Sequence, residues 1–358
     1  MHKNDQMTPK ERMRAFATGK PMDRYPVMLL VGTISAKFAG MTQRRRRSSA
    51  RNMADAQIAT YRRLGHDNVS ISHGLHAMGF ALGSTRSDPE DAVPAIMEHV
   101  LQDIGRLDDL DFNKTLPQND ASLKMTLDAC EILQKELGDE CAIGFGLTGP
   151  FTSAASIYKT DDLLRMTKKN PELLHRLLRK CTDATIAIAD ECNGRGLNLS
   201  IADPVASGTI LRPKQYDEFV APYTRELIGH IHGMGKVVSY HVCGQTTNIL
   251  ENLVATGNDI MSLDNVVNLG HAKEVIGRKV CIAGNVDPVG VIMLGTPEQV
   301  ESAIISNYSE TYDSPKGYIL ASGCDIPSAA PLENVDAFVA AARKYGKWPM
   351  DTERLKII

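Results

Sequence analysis

The chain has 358 residues, is 43% hydrophobic and carries a formal net charge of -3. It can bury a large core, and its overall charge gives no electrostatic signature for nucleic acid or a membrane surface. The polar start, MHKNDQMTPKERMRAF, lacks the apolar stretch of a signal peptide, and no window reaches about 18 uninterrupted apolar residues, so a cytoplasmic protein is expected.

Residues 1–23 precede the first strand and are expected to cover the base of the fold. Short β-branched or apolar runs then recur at 24–31, 68–73, 141–149, 197–204, 236–244, 259–265, 279–286 and 317–326, each followed by helical periodicity. Between them lie helix candidates such as NMADAQIATYRRLG, DLLRMTKKNPELLHRLLRKCTDATIAIADECNGRG and VDAFVAAARKYG, all three ending at a glycine. Strands alternating with helices predict a parallel sheet, and eight repeats predict an α/β fold of the (β/α)8 barrel type, one domain over 1–358. The link 74–140 is longer than one helix and predicts an inserted cap or extra helices near the barrel mouth. The basic run Arg44, Arg45, Arg46 and Arg47, with Arg51, reads first as a solvated loop or helix start. Its second reading is an anchor for an acidic ligand or partner.

Seven cysteines, an odd number without framework spacing, argue for reduced thiols. Cys130, Cys141, Cys181, Cys192 and Cys281 are expected as small buried hydrophobes. Cys243 and Cys324 stand apart because of their positions. Barrel enzymes work at the C-terminal ends of their strands, and those ends carry His73 (second), Asp203 (fourth), His241 and Cys243 (fifth), and Asp264 (sixth). The seventh ends in Asn285 and Asp287, the eighth in Cys324 and Asp325.

In the run KVVSYHVCGQTTNIL, His241 and Cys243 are two apart, so an extended chain aims both at one point, while Tyr240 faces the opposite side and packs. Thiolates and imidazole hold soft or borderline metals, and two Cys with one His suit Zn²⁺ with one position left open. The tight Cys pairs of a closed structural zinc are absent. The alternative is that His241 and Cys243 are ordinary strand residues and Cys324 an unrelated core thiol.

The runs SYHVCG, LDNVV, AGNVDP and ASGCDIP, with IADPVASGTILRPKQYDEFVAPY upstream, resemble the uroporphyrinogen decarboxylase superfamily. Within it they resemble the zinc-dependent methylcobamide:thiol (coenzyme M type) methyltransferases. The resemblance runs over nearly the whole chain and is densest over 197–346. It implies a (β/α)8 barrel in which His241, Cys243 and Cys324 are the zinc ligands. The decarboxylase branch fits less well: its Arg-Gln-Ala-Gly-Arg motif is missing where this chain has VGTISAKFAGMTQ, and Cys324 stands where that branch has a histidine.

The resemblance implies methyl transfer from methylcobalamin, or another methylated corrinoid, to a small thiol such as coenzyme M. Zinc deprotonates a coordinated thiol, and the thiolate is the nucleophile. The Asp-x-His-x-x-Gly signature of a base-off corrinoid domain is missing, so the corrinoid is expected on a separate partner protein docked at the mouth, with the arginine run a candidate for that docking. Asp264 is the candidate fourth ligand or orienting residue, or else a loop cap. Asp203 and Asn285 are candidate cofactor or substrate contacts, or else turn formers. The GQTTN helix start is a candidate anion site. Alternative readings are a demethylase running from a methylated substrate to the corrinoid, a decarboxylase-like enzyme, and a non-catalytic corrinoid-protein-binding barrel.

GFGLTG (residues 144–149) matches Gly-x-Gly-x-x-Gly but is followed by Pro150 and by no acidic residue at the required distance, so it is set aside as a nucleotide fingerprint. His73 and His76 are expected as loop residues that could line the cavity, and His230 and His232 as helix C-terminal residues that complement the dipole.

Overall fold

A computed structural model describes residues 2–356. The eight expected runs all form strands, each shorter than its apolar run: β1 (Val27–Met28), β2 (Val69–Ser72), β3 (Ile143–Thr148), β4 (Asn198–Ala202), β5 (Val238–Val242), β6 (Ile260–Leu263), β7 (Cys281–Val286) and β8 (Tyr318–Ser322). All pair in parallel in one curled sheet of order β1-β8-β7-β6-β5-β4-β3-β2. The expectation of a closed barrel is met in part, because the ladder does not run between β1 and β2. There the two edges meet through side chains and one main-chain bond. Asp67 N–H donates to the Val27 carbonyl (2.7 Å), Val27 N–H to the Asp67 carboxylate (2.8 Å), and Leu29 N–H to Asn68 Oδ1 (2.8 Å).

The N-terminal segment sits at that seam. Helix Pro9–Ala17 is opened by a capping box of Thr8 and Glu11. Its Arg12 is fully buried among Asp5, Asp23 and Asp67, and Arg24 pairs with Asp5 (3.1 Å) and Asp67 (2.6 Å). Met13 and Phe16 of the same helix pack on Cys281, Ala283 and Ile319, near the N-terminal ends of β7 and β8.

The helices follow the expected periodicity. Ala50–Leu64 ends at Gly65 with φ +63°, a left-handed conformation that glycine adopts without steric cost. The long candidate after β3 is split at Asn170 into Thr160–Lys169 and Pro171–Gly194, since proline cannot continue the hydrogen-bond ladder of the helix before it. The link 74–140 is more than helices. It holds Ala77–Leu82, an antiparallel hairpin of Thr85–Arg86 with Ile96–Glu98, two short 3-10 segments, and Ala121–Leu137, which packs beside Ala50–Leu64. The hairpin turn is fastened to the arginine run by Arg44–Asp88 (3.0 Å), Arg44–Glu90 (2.8 Å) and Arg47–Asp88 (3.2 Å). Most of that run therefore serves internal contacts. Among the described residues no helix is long and apolar enough to cross a membrane.

Barrel interiors are ordinarily filled by branched apolar side chains. Here one register row across β2, β3, β4 and β5 reads Ser72, Gly146, Ser200, Ser239. A Cβ on Gly146 would come within 2.9 Å of Ser72 Cβ, so β2 and β3 can approach this closely only with glycine there. The row leaves Ser72 exposed within the sheet, and His241 lies two residues beyond it toward the strand ends, on the same face of the sheet.

Candidate metal centre

His241 leaves β5 on the face opposite Tyr240, whose ring is fully buried with its hydroxyl 3.4 Å from that of Tyr216 on helix Pro213–Phe219. Cys243, two residues on, returns to the face of His241, and Cys324 arrives from the loop after β8. The three ligand atoms lie within 4.8 Å of one another. His241 Nε2 is 3.2 Å from Cys243 Sγ, and the two sulfurs are 3.7 Å apart. A tetrahedral zinc with bonds of about 2.3 Å to sulfur and about 2.0 Å to nitrogen sets S···S near ~3.8 Å and N···S near ~3.5 Å. The cluster therefore has the size and the donor chemistry of a zinc site.

The electrostatics couple the two thiols. Cys324 is pulled well below the ordinary thiol range, first by its hydrogen bond with Cys243 and also by His241, against the opposing effect of burial. Cys243 is pushed above the ordinary thiol range, first by that same bond and then by burial. The pair gives up one proton readily and holds the second.

Neighbouring strands brace these side chains. Ser262 Oγ lies 3.0 Å from His241 Nδ1 and fixes the ring so that Nε2 faces the sulfurs. Asp264 stands outside the cluster, with both carboxylate oxygens engaged by backbone: Gly244 N–H donates to Oδ2 (2.7 Å) and Val266 N–H to Oδ1 (3.3 Å). Asp264 thus holds the turn that follows Cys243. Gly244 adopts φ +76° there, and a Cβ would meet Ser207 Oγ at 2.9 Å and Thr209 Oγ1 at 3.0 Å. Asn285, on β7, donates to the carbonyls of Asp264 (2.9 Å) and Val267 (2.6 Å), so it braces the brace. Asp325, beside Cys324, accepts from Gly32 N–H (2.7 Å), Thr33 N–H (3.1 Å) and the Thr33 hydroxyl (2.6 Å). Burial raises its carboxyl to about 6 despite these bonds.

Asp203 is not brought to the cluster. It is fully buried on the outer face of β4, where Oδ1 accepts from Thr152 N–H (2.8 Å) and its hydroxyl (2.6 Å). Its Oδ2 has no partner, and burial pushes the carboxyl up to about 6. His73 pairs with Asp120 (3.2 Å), while His230 and His232 pair with Asp190 (2.7 Å) and Asp259 (2.9 Å) at the surface. At GQTTN the start of the helical turn is filled by the chain itself, since Gln245 Oε1 accepts from Thr247 N–H (3.1 Å). Cys130, Cys141, Cys181, Cys192 and Cys281 are all buried free thiols. Sequence reasoning passed over Ser262, although it stands two residues before Asp264 in DIMSLDN and shares its face of the strand.

An eight-stranded parallel α/β sheet with two sulfurs and an imidazole converging at the C-terminal strand ends defines a barrel-type α/β protein with a group of donors at its mouth that could hold a metal ion. Residues 8–345 match the family described as Uroporphyrinogen decarboxylase (URO-D), and the chain belongs to that family. Among its relatives, the Methylcobamide:CoM methyltransferase MtbA of Methanosarcina mazei is 28% identical over 344 residues, covering 94% of this chain and 98% of its own. The Uroporphyrinogen decarboxylase of Geobacter metallireducens is 31% identical over 240 residues, covering 65% of this chain and 68% of its own. The solved structure of a methyltransferase from Methanosarcina mazei shares the fold, with a TM-score of 0.81 at 24% identity, over 95% of this chain and 99% of that one.

Proposed function

We propose that the protein is a corrinoid-dependent methyltransferase that moves a methyl group from a methylated corrinoid to a zinc-activated thiol, within a single (β/α)8 barrel whose β1–β2 seam is closed by side chains. The observation that carries this reading is the convergence of His241, Cys243 and Cys324 within 4.8 Å. These three residues would hold the metal, which when bound supplies a Lewis acid that lowers the pKa of a substrate thiol. Three protein donors, with Asp264 turned to the backbone, leave room for a substrate sulfur. Ser262 fixes the imidazole, while Asp264 and Asn285 hold the Cys243 turn, so the donors need little rearrangement on loading.

In the overall reaction the thiol loses its proton to solvent and a sulfur–carbon bond forms as the cobalt–carbon bond breaks. The electron pair stays on cobalt, which goes from Co(III) to Co(I), and a methyl thioether leaves. Relatives over nearly the full chain named methylcobamide:CoM methyltransferases support this direction. The corrinoid would arrive on a separate protein. Leu75, Ile210 and Val266 in loops after strand ends, with Val289 on the helical turn Pro288–Met293 after β7, are each 40% or more exposed and would give that partner an apolar rim to dock on.

The test is spectrophotometric: zinc-loaded protein is mixed with methylcobalamin and a panel of small thiols, and loss of the methylcobalamin band is followed. Thiol-dependent loss that disappears in Cys324→Ala is expected. No loss with any thiol, together with methylation of Co(I) cobalamin by a methyl ether or amine, would replace this reading by the reverse reaction.

A further inference from the structure

β2, β3, β4 and β5 share a burial pattern that the later strands lack. Their outward residues, such as Phe145, Ile201 and Tyr240, are buried. Every second residue, on the face that carries His241, is accessible to solvent. β7 and β8 are instead buried on both faces, where Cys281, Ala283 and Ile319 pack against Met13 and Phe16. One half of the barrel interior is therefore filled and the other is open. An eight-stranded barrel is just wide enough for side chains to fill, or for one small ligand to take their place.

The open half is polar and lies beneath the donor cluster. Ser239 precedes His241 by two residues on the same face of β5, roughly 7 Å along the strand. The register carries this level sideways from Ser239 to Ser200, Gly146 and Ser72. Among the described residues the hydroxyls of Ser72, Ser200 and Ser239 make no hydrogen bond to the chain, so each is free to donate and to accept. No inward residue of these four strands below His241 is charged. The wall therefore offers hydrogen bonds and space rather than an ion pair.

The geometry of methyl transfer points the same way. Displacement at a methyl carbon is in line, so the attacking sulfur, the carbon and the cobalt are collinear. The substituent on that sulfur must then extend away from the cobalt. A corrinoid carried by a separate protein is confined to the mouth, which directs the substituent down into the barrel.

We propose that the open half of the barrel, walled by Ser72, Ser200 and Ser239, is the pocket for the acceptor's chain beyond its sulfur. Ser200 and Ser239 then set the length and polarity of the thiol that is accepted. This rests on the methyl-acceptor reading above, with acceptor and donor meeting at the Cys243–Cys324 cluster from opposite sides.

The experiment uses the full zinc-loaded chain, methylcobalamin and three thiols: methanethiol, 2-mercaptoethanol and 1-propanethiol, the last two alike in length. Ser200→Leu fills the pocket, and the ratio of kcat/KM for 2-mercaptoethanol over methanethiol is expected to fall at least about tenfold. Ser239→Ala is expected to lower the ratio for 2-mercaptoethanol over 1-propanethiol by about 2- to 10-fold. Ser72→Leu, which fills the same space from β2, supplies the first reading if Ser200→Leu does not fold. A length ratio equal to that of the wild type, whatever the absolute rates, overturns the proposal. Cobalt(II)-loaded protein separates this inference from the reaction, because thiol binding is then read from the visible spectrum without any turnover. If no thiol is methylated but Ser200→Leu loses at least tenfold in affinity for 2-mercaptoethanol relative to methanethiol, the pocket stands and the methyl-transfer reading falls. Equal relative affinities in the two proteins refute the pocket.

Discussion

Replacing Asp203 with asparagine separates a buried structural carboxyl from a cofactor contact. Asp203 is fully buried, one oxygen is held by Thr152, the other is unpartnered, and burial raises its carboxyl from 3.8 to about 6. Because the folded-state value is raised, the neutral acid is favoured in the folded chain. Its stabilising contribution is fully present below about pH 4 and is lost as the pH rises through about 6. The rise corresponds to about 3 kcal/mol, of which about 2 kcal/mol falls between roughly pH 4.5 and 7.5. For a chain of this length that is a fall of about 3 °C in Tm. Asparagine keeps the acceptor for Thr152 and removes the ionisation. Thermal melts of wild type and Asp203→Asn at both pH values are therefore expected to differ in pH dependence by about 3 °C, with zinc content unchanged. Parallel pH dependence, or loss of metal or of methylcobalamin turnover with the fold intact, would refute the placement of Asp203 on the outer face.

Three further outcomes follow from the bracing of the cluster and the base. Ser262→Ala removes the partner of His241 Nδ1 and is expected to weaken zinc binding by about 10- to 100-fold, measured by competition with a chromogenic chelator. Gly244→Ala places a Cβ against Ser207 and Thr209 at φ +76°. It should displace Cys243 and lower zinc affinity by at least about tenfold, at a conformational cost of about 1–2 kcal/mol. Arg12→Leu leaves Asp5, Asp23 and Asp67 buried with one cation fewer. A loss of about 3–5 kcal/mol, or roughly 4–7 °C in Tm, is expected in a thermal melt.

The eight strands were legible because each parallel strand is a short apolar run followed by a helix, and that rhythm survives in a single sequence. Their ends were read too long: residues such as Asn68, Asp203 and Pro204 flank strands but make caps, turns and side-chain bridges. The open ladder between β1 and β2 was invisible, since it depends on Asp67 and Asn68 bonding across a seam to residues about 40 positions away. The hairpin at 85–98 was hidden by its short, exposed strands, which carry no alternation of buried and exposed residues. The convergence of His241 and Cys243 was readable from the period of a strand, while their approach to Cys324 required the closing geometry of β5 and β8. Asp264, Asn285 and Asp325 were correctly placed at strand ends, but which atoms they bond is set by loop conformation. Which of the four arginines are engaged lies in the third dimension, because Asp88 and Glu90 reach Arg44 and Arg47 from a hairpin more than 40 residues away.

Zinc-edge X-ray absorption of the purified protein, recorded before and after addition of a thiol substrate, tests the metal site most directly. Two sulfurs and at least one imidazole nitrogen per zinc are expected in the wild type, rising to three sulfurs with thiol present and falling to one in Cys324→Ala without it. A zinc shell of oxygen and nitrogen alone, or a sulfur count that does not change when thiol is added, would contradict the assignment of His241, Cys243 and Cys324 as the site that activates the acceptor.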